Sequence, residues 1–134
     1  MPHFTRAALA RSLEQRGIGY RHMPELGGLR KPQPDSINPG WRNAGFRGYA
    51  DYMQRDEFWQ GIDRLLALGP STIMCAEAVP WRCHRSLIAD ALTVRGVEVR
   101  HITGSGEPPR HLLTPFAQVH DGRISYPAPD TLGL

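Results

Sequence analysis

Ser71-Thr72-Ile73-Met74-Cys75, a helical pattern from Cys83 to Arg95, and Val97-Glu98-Val99-Arg100-His101-Ile102 follow one another as strand, helix and strand, and this order decides the fold class. The first run is short and apolar, as expected of a strand buried on both faces. The helix sets Leu87, Ile88, Ala91 and Leu92 inward and stops at Gly96, which can take the left-handed conformation that ends a helix. Two strands joined by a helix form a right-handed parallel crossover. The chain is therefore expected to be an α/β protein with a mainly parallel sheet.

Toward the N-terminus, Thr5 can cap a helix from Arg6 to Arg16 with Ala8, Leu9 and Leu13 on one stripe and Gly17 as its stop. Ile18 to Met23 reads as another short strand. From Pro24 to Gly48 there are four prolines and five glycines, the composition of a long structured loop, and Trp41, Phe46 and Tyr49 predict that it packs down. Tyr49 to Leu68 carries Tyr52, Phe58, Ile62, Leu65 and Leu66 at helical spacing, in two pieces with Asp56 capping the second. Toward the C-terminus, Phe116 to His120 and Arg123 to Tyr126 flank Asp121-Gly122, a hairpin signal. Residues 1–134 are read as a single α/β domain.

The composition is that of a globular protein, 40% apolar and 22% charged. No stretch approaches the roughly 20 apolar residues of a membrane-spanning helix, and the first residues lack the pattern of a signal peptide. A cytoplasmic location without membrane contact is expected. Two cysteines are too few for a secreted disulfide scaffold, so they are read as thiols. The net charge of +3 comes from 15 arginines and one lysine against 13 acids. Arginine suits bidentate recognition of phosphate or carboxylate, although its scatter along the chain also fits a solvated surface.

Chemistry concentrates on Cys75-Ala76-Glu77 and Cys83-His84-Arg85-Ser86. In open α/β sheets the ligand crevice lies at the carboxyl edge of the strands, where Cys75 and Glu77 would fall. The first turn of the next helix offers unpaired N–H groups and a positive dipole end to an anion. A thiolate there, beside His84 and Arg85, is stabilised below the free cysteine value of about 8.5. Cys83 is thus a candidate nucleophile or redox thiol, with Cys75 as resolving thiol or second group and Glu77 as an orienting group or general base. Arg85 is the better placed of two neighbouring cations to clamp an anion, with His84 and Ser86 beside it. Each of these also has a plain reading: buried cysteines that only pack, and an Arg85–Glu77 salt bridge. Cys75, Glu77, Cys83 and His84 are also the donor types of a zinc or iron site, but their spacing is poor for one, so no metal or cofactor is expected, and His101 reads as a satisfied core histidine. Glu25, Arg30, Trp41, Arg42 and Asn43 in the long loop read as pocket walls, or as a cover for the sheet edge.

His22-Met23-Pro24-Glu25-Leu26-Gly27-Gly28, Trp41-Arg42-Asn43, Phe46 to Met53, Cys75-Ala76-Glu77, Cys83-His84-Arg85 and His101-Ile102 together resemble the bacterial family known as domain of unknown function 488 (DUF488). The resemblance implies a three-layer α/β fold and a shared polar site, and it implies no reaction, since the family has no agreed activity. Relatives open with a strand-helix-strand unit, whereas this chain starts at Phe4-Thr5 just ahead of the family's next helix. An N-terminally truncated member is therefore expected, its uncovered apolar edge closed by a homodimer.

Two function classes follow. One is a cysteine-dependent enzyme or redox protein acting on a small anionic ligand. The other is a non-catalytic module binding phosphate, a nucleotide or nucleic acid. A degenerate member working within a larger assembly is a third.

Overall fold

The computed structural model describes residues 6–27, 30–73, 85–102 and 106–128. Among these described residues four helices carry the fold: α1 (Arg6–Glu14), α2 (Ala44–Tyr52), α3 (Asp56–Ala67) and α4 (Arg85–Val94), with a 3₁₀ turn at Pro24–Leu26. Two strands follow, β1 (Gln118–His120) and β2 (Arg123–Ser125), paired antiparallel with Val119 opposite Ile124. Helices and a small sheet make this a mixed α and β protein.

α3 shows most simply why these residues fold as they do. Phe58, Ile62 and Leu65 recur at four and three residues, so they share one face, and all three are buried. Complete burial of a side chain such as Phe58 or Ile62 contributes roughly 1.5–3 kcal/mol. Asp56 and Glu57 open this helix and Arg64 closes it, complementing its dipole. Asp56 is the first helical residue rather than the expected cap, and its carboxylate instead meets Arg123 at 2.6 Å. α2 starts earlier than the apolar pattern indicates because the Asn43 side chain accepts from the Phe46 N–H, an N-cap.

The core lies among α2, α3, α4 and the hairpin. Tyr49, Phe58, Ile62, Leu87 and Tyr126 are at most 1% exposed, and α4 packs on both α2 and β2. The long loop after Pro24 does pack down. Tyr49 and Tyr52 donate to the carbonyls of Leu26 and Glu25. Asp51, buried on α2, accepts from the Gln33 N–H, the Ser36 hydroxyl and the Asn38 amide. Asn38 accepts in turn from the Tyr126 N–H at 2.8 Å, which ties loop, helix and hairpin together. Trp41 stands edge-on to Phe46, Phe116 and Tyr126.

The hairpin turns on Asp121 (φ 51°) and Gly122 (φ 76°), the two positive φ values of a type I′ turn. Gly17 and Gly96, at φ 75° and 83°, end α1 and α4 as expected.

The strands expected over 18–22, 71–75 and 97–102 are the correction. Residues 18–22 and 71–73 take no strand, 74 and 75 lie outside the described residues, and 97–102 contributes one bridge, Arg100 to Arg110, which is antiparallel. No parallel pairing forms among the described residues. Ile73, Val97 and Val99 pack directly against the helical core. Burial accounts for their apolar character without a ladder, and a short apolar run does not by itself tell the two apart.

Candidate functional site

α4 is buried from Leu87 to Leu92, and that buried stretch includes an acid: Asp90 has no exposure at all. A buried carboxylate must be hydrogen-bonded, and four donors converge on this one. His111 Nε2 lies 2.7 Å and the Thr114 N–H 3.1 Å from Oδ1, while the Thr114 and Tyr126 hydroxyls lie 2.7 and 2.8 Å from Oδ2. Burial, and then the Asp90 charge, push the Tyr126 phenol well above its ordinary range, so it stays a donor. Four donors on two oxygens match the acceptor capacity of a carboxylate.

The chain of contacts continues. His111 Nδ1 lies 2.7 Å from His101 Nε2, with the two rings 4.9 Å apart. The Arg100–Arg110 bridge produces this pairing. His101 donates its N–H to the Pro109 carbonyl and His111 to that of Val99, so Arg100 and Arg110 face each other across the bridge. Side chains alternate along an extended segment, which puts Val99, His101 and His111 on the opposite, inner side. Val97, Val99 and His101 are indeed half-buried, with Glu98, Arg100 and Ile102 exposed between them. Glu98 pairs with Arg100 and Arg110 on the solvent side, and those guanidinium groups hold its carboxyl below the ordinary range.

Arg85 opens α4 as its first residue and is exposed. The His101 imidazole is held below its ordinary value by partial burial first, then by His111 and by the positive charge of Arg85. The charge of Arg85 is thus felt at His101. α4 opens on this cation with no acid in its first turn, the reverse of α3 and of what a helix dipole favours.

Of the remaining site residues read from the sequence, Ser86 is half-buried in the first turn of α4, and Cys75, Glu77, Cys83 and His84 lie outside the described residues. The five residues read as pocket walls have different surroundings among the described residues. Trp41 is a core side chain against Tyr126, Asn43 caps α2, and Arg42 is exposed. Glu25 pairs with Arg64 at 3.3 Å. Arg30 lies 3.8 Å over the Tyr52 ring and borders a cleft of about 290 Å³ with Lys31, Gln33 and Arg55. Among the described residues no three His, Cys, Asp or Glu side chains are arranged to hold a metal ion.

The fold and this buried polar chain define a small, largely helical α and β domain in which a buried carboxylate, His111 and His101 are hydrogen-bonded in series. The chain belongs to the family described as domain of unknown function DUF488, whose model matches residues 1–92. Asp90 and Arg85 fall inside the matched region, while His101-Ile102, His111, Thr114 and Tyr126 lie beyond it. No curated protein and no solved structure matches the chain.

Proposed function

We propose that this protein is a cysteine-dependent enzyme acting on a small anionic substrate, with Cys83 as nucleophile and Arg85 as the anion's side-chain ligand. The observation that carries the reading is the pair of histidines backed by the buried Asp90 carboxylate, with the Arg85 charge felt at His101. A cation and a carboxylate-backed imidazole are the groups that activate a thiol, and Cys83 and His84 immediately precede Arg85 in sequence. In this reading Cys75 and Glu77 complete the site, as second thiol and orienting carboxylate, and no cofactor takes part.

Titration calorimetry with inorganic phosphate tests it. Arg85→Ala should weaken binding by about 1.5–3 kcal/mol, the size of a hydrogen bond to a charged group, without changing the thermal unfolding midpoint. Loss of stability without loss of binding would assign Arg85 to a structural ion pair. Phosphate binding that persists while Cys83 reacts no faster than a free thiol would instead make the protein a phosphate, nucleotide or nucleic-acid binding module.

We further propose that a three-layer, mainly parallel sheet is completed in a homodimer of cytoplasmic protein. Supporting this, Ile18, Ile102 and Leu112 are exposed by 52%, 69% and 81%. Sedimentation velocity should show a dimer at micromolar concentration, and a clean monomer would contradict it.

A further inference from the structure

Arg30 is a half-buried cation that forms no ion pair among the described residues. Its guanidinium lies 3.8 Å over the Tyr52 ring, its Nη2 donates to the Gly27 carbonyl at 3.2 Å, and its Nε is buried with no hydrogen-bond partner among the described residues. These contacts fix the plane of the group and leave Nη1 as its uncommitted donor. Arginine stacked on an aromatic face keeps its in-plane N–H groups for an oxyanion. A charge drawn away from water without a counter-ion is costly, and a counter-ion arriving from outside the chain would find the guanidinium already positioned.

Arg30 walls a cleft of about 290 Å³ that Lys31 and Arg55 also line. Both of these are exposed, and neither side chain is hydrogen-bonded or ion-paired among the described residues. The backbone gathers the three. Gly48 lets the chain at Arg30 and Lys31 lie directly on α2, since a Cβ there would collide with the Arg30 carbonyl. One turn further along α2, Asp51 accepts the Gln33 N–H at 2.8 Å and holds the same segment in place. Arg55 is the N-cap residue of α3 and spends no side-chain bond on capping it. Two acids line the cleft as well, Asp51 and Glu57. Asp51 is committed to the loop through Gln33, Ser36 and Asn38, and Glu57 is exposed. Three cations against two acids leave the lining positive, with the cations uncommitted and the buried acid already satisfied.

We propose that this cleft binds a small phosphate-bearing molecule, with Arg30 as the fixed ligand and Lys31 and Arg55 as the cations that close on it. Donors from three separate positions suit the three oxygens and nearly double negative charge of a phosphate monoester better than a flat, singly charged carboxylate. The volume lies at the low end of small-molecule sites, which run from roughly 300 to 1,000 Å³, and fits a phosphate with a short organic body. The cleft shares no lining residue with the site proposed around Arg85 and needs none of the cysteine chemistry.

The test follows the NMR resonance of the Arg30 Nε–H in the ¹⁵N-labelled full chain, a proton shielded from exchange by burial and assigned by its loss in Arg30→Lys. Inorganic phosphate is titrated in at an ionic strength held constant with chloride. A saturable shift is expected, and it should persist in Arg85→Ala, which separates this cleft from the site at α4. The double variant Lys31→Gln/Arg55→Gln changes exposed side chains only, so the fold survives it. It should weaken the apparent affinity about five-fold or more, the combined scale of two exposed ion pairs. Arg16→Gln, at an exposed cation outside the cleft, should leave the affinity unchanged. Succinate titrated in the same way should bind several-fold more weakly than phosphate. Absence of a saturable shift, a shift that vanishes in Arg85→Ala, an affinity unchanged in the double variant, or an equal loss in Arg16→Gln overturns the cleft as a phosphate site. Succinate binding as tightly as phosphate overturns the choice of phosphate over carboxylate.

Discussion

Asp90→Ala would leave the Tyr126 and Thr114 hydroxyls and a ring nitrogen of His111 without their acceptor inside the core. Each orphaned buried group costs about 1–3 kcal/mol, so a loss of roughly 3–5 kcal/mol is expected, large against the 5–15 kcal/mol that holds a small domain together. Urea unfolding measures it, and a midpoint change worth under 1 kcal/mol would mean that the network relaxes onto other partners. His101 adds a pH dependence of defined sign. Its folded-state value is depressed, so the unfolded chain binds the proton more readily, and the stability His101 contributes is complete above its ordinary value near 6.5 and falls as the pH drops below it. Thermal unfolding between pH 7.5 and pH 5 should show this decline, and His101→Gln should flatten it. At this scale the sequence was partly legible. An acid between Leu87 and Ala91 on an inward-facing helix is a sign of a partnered buried carboxylate. His111 and Thr114 come from a segment without periodicity, however, and only the Arg100–Arg110 bridge, invisible to local patterning, brings them to Asp90. His101 is a partnered histidine, as its sequence context suggests, hydrogen-bonded to His111 through one ring nitrogen.

Elements were readable where spacing and capping agree. The helices near Arg6, Tyr49, Asp56 and Arg85 and the Asp121-Gly122 hairpin all form, because 3.6-residue periodicity and turn chemistry are local properties. The expected strands depend on partners, and their apolar residues bury against helices instead. Asn43 shows the same limit from the other side: its polar, loop-like context suggests a pocket wall, yet it is the cap of α2. Asn43→Ala should therefore cost about 1 kcal/mol of stability, read from chemical denaturation, with no effect on phosphate binding. Gly48 is a sharper case. A Cβ there would stand 1.8 Å from the Arg30 carbonyl oxygen, which is backbone. Gly48→Ala should destabilise by at least the roughly 1–3 kcal/mol of an overpacked core. Gly106→Ala, with no atom within 4 Å, should be silent. Equal melting temperatures for the two variants would contradict this packing of loop on helix.

Across the whole molecule, two buried acids do the joining. Asp51 fastens the long loop to α2, Asp90 fastens the 111–114 segment and β2 to α4, and Tyr126 touches both systems through its N–H to Asn38 and its hydroxyl to Asp90. Among the described residues no helix is long and apolar enough to cross a membrane. The net charge of +3 is modest, and in the proposed function Arg85 is the cation that matters most. In that proposal Arg85 and its surroundings turn Cys83 into a reactive thiol, which the pH dependence of Cys83 alkylation in the wild type and in Arg85→Ala tests. The wild type should show an inflection below the free-thiol value of about 8.5, shifting toward that value when the guanidinium is removed. Coincident profiles, both at the free-thiol value, would contradict it.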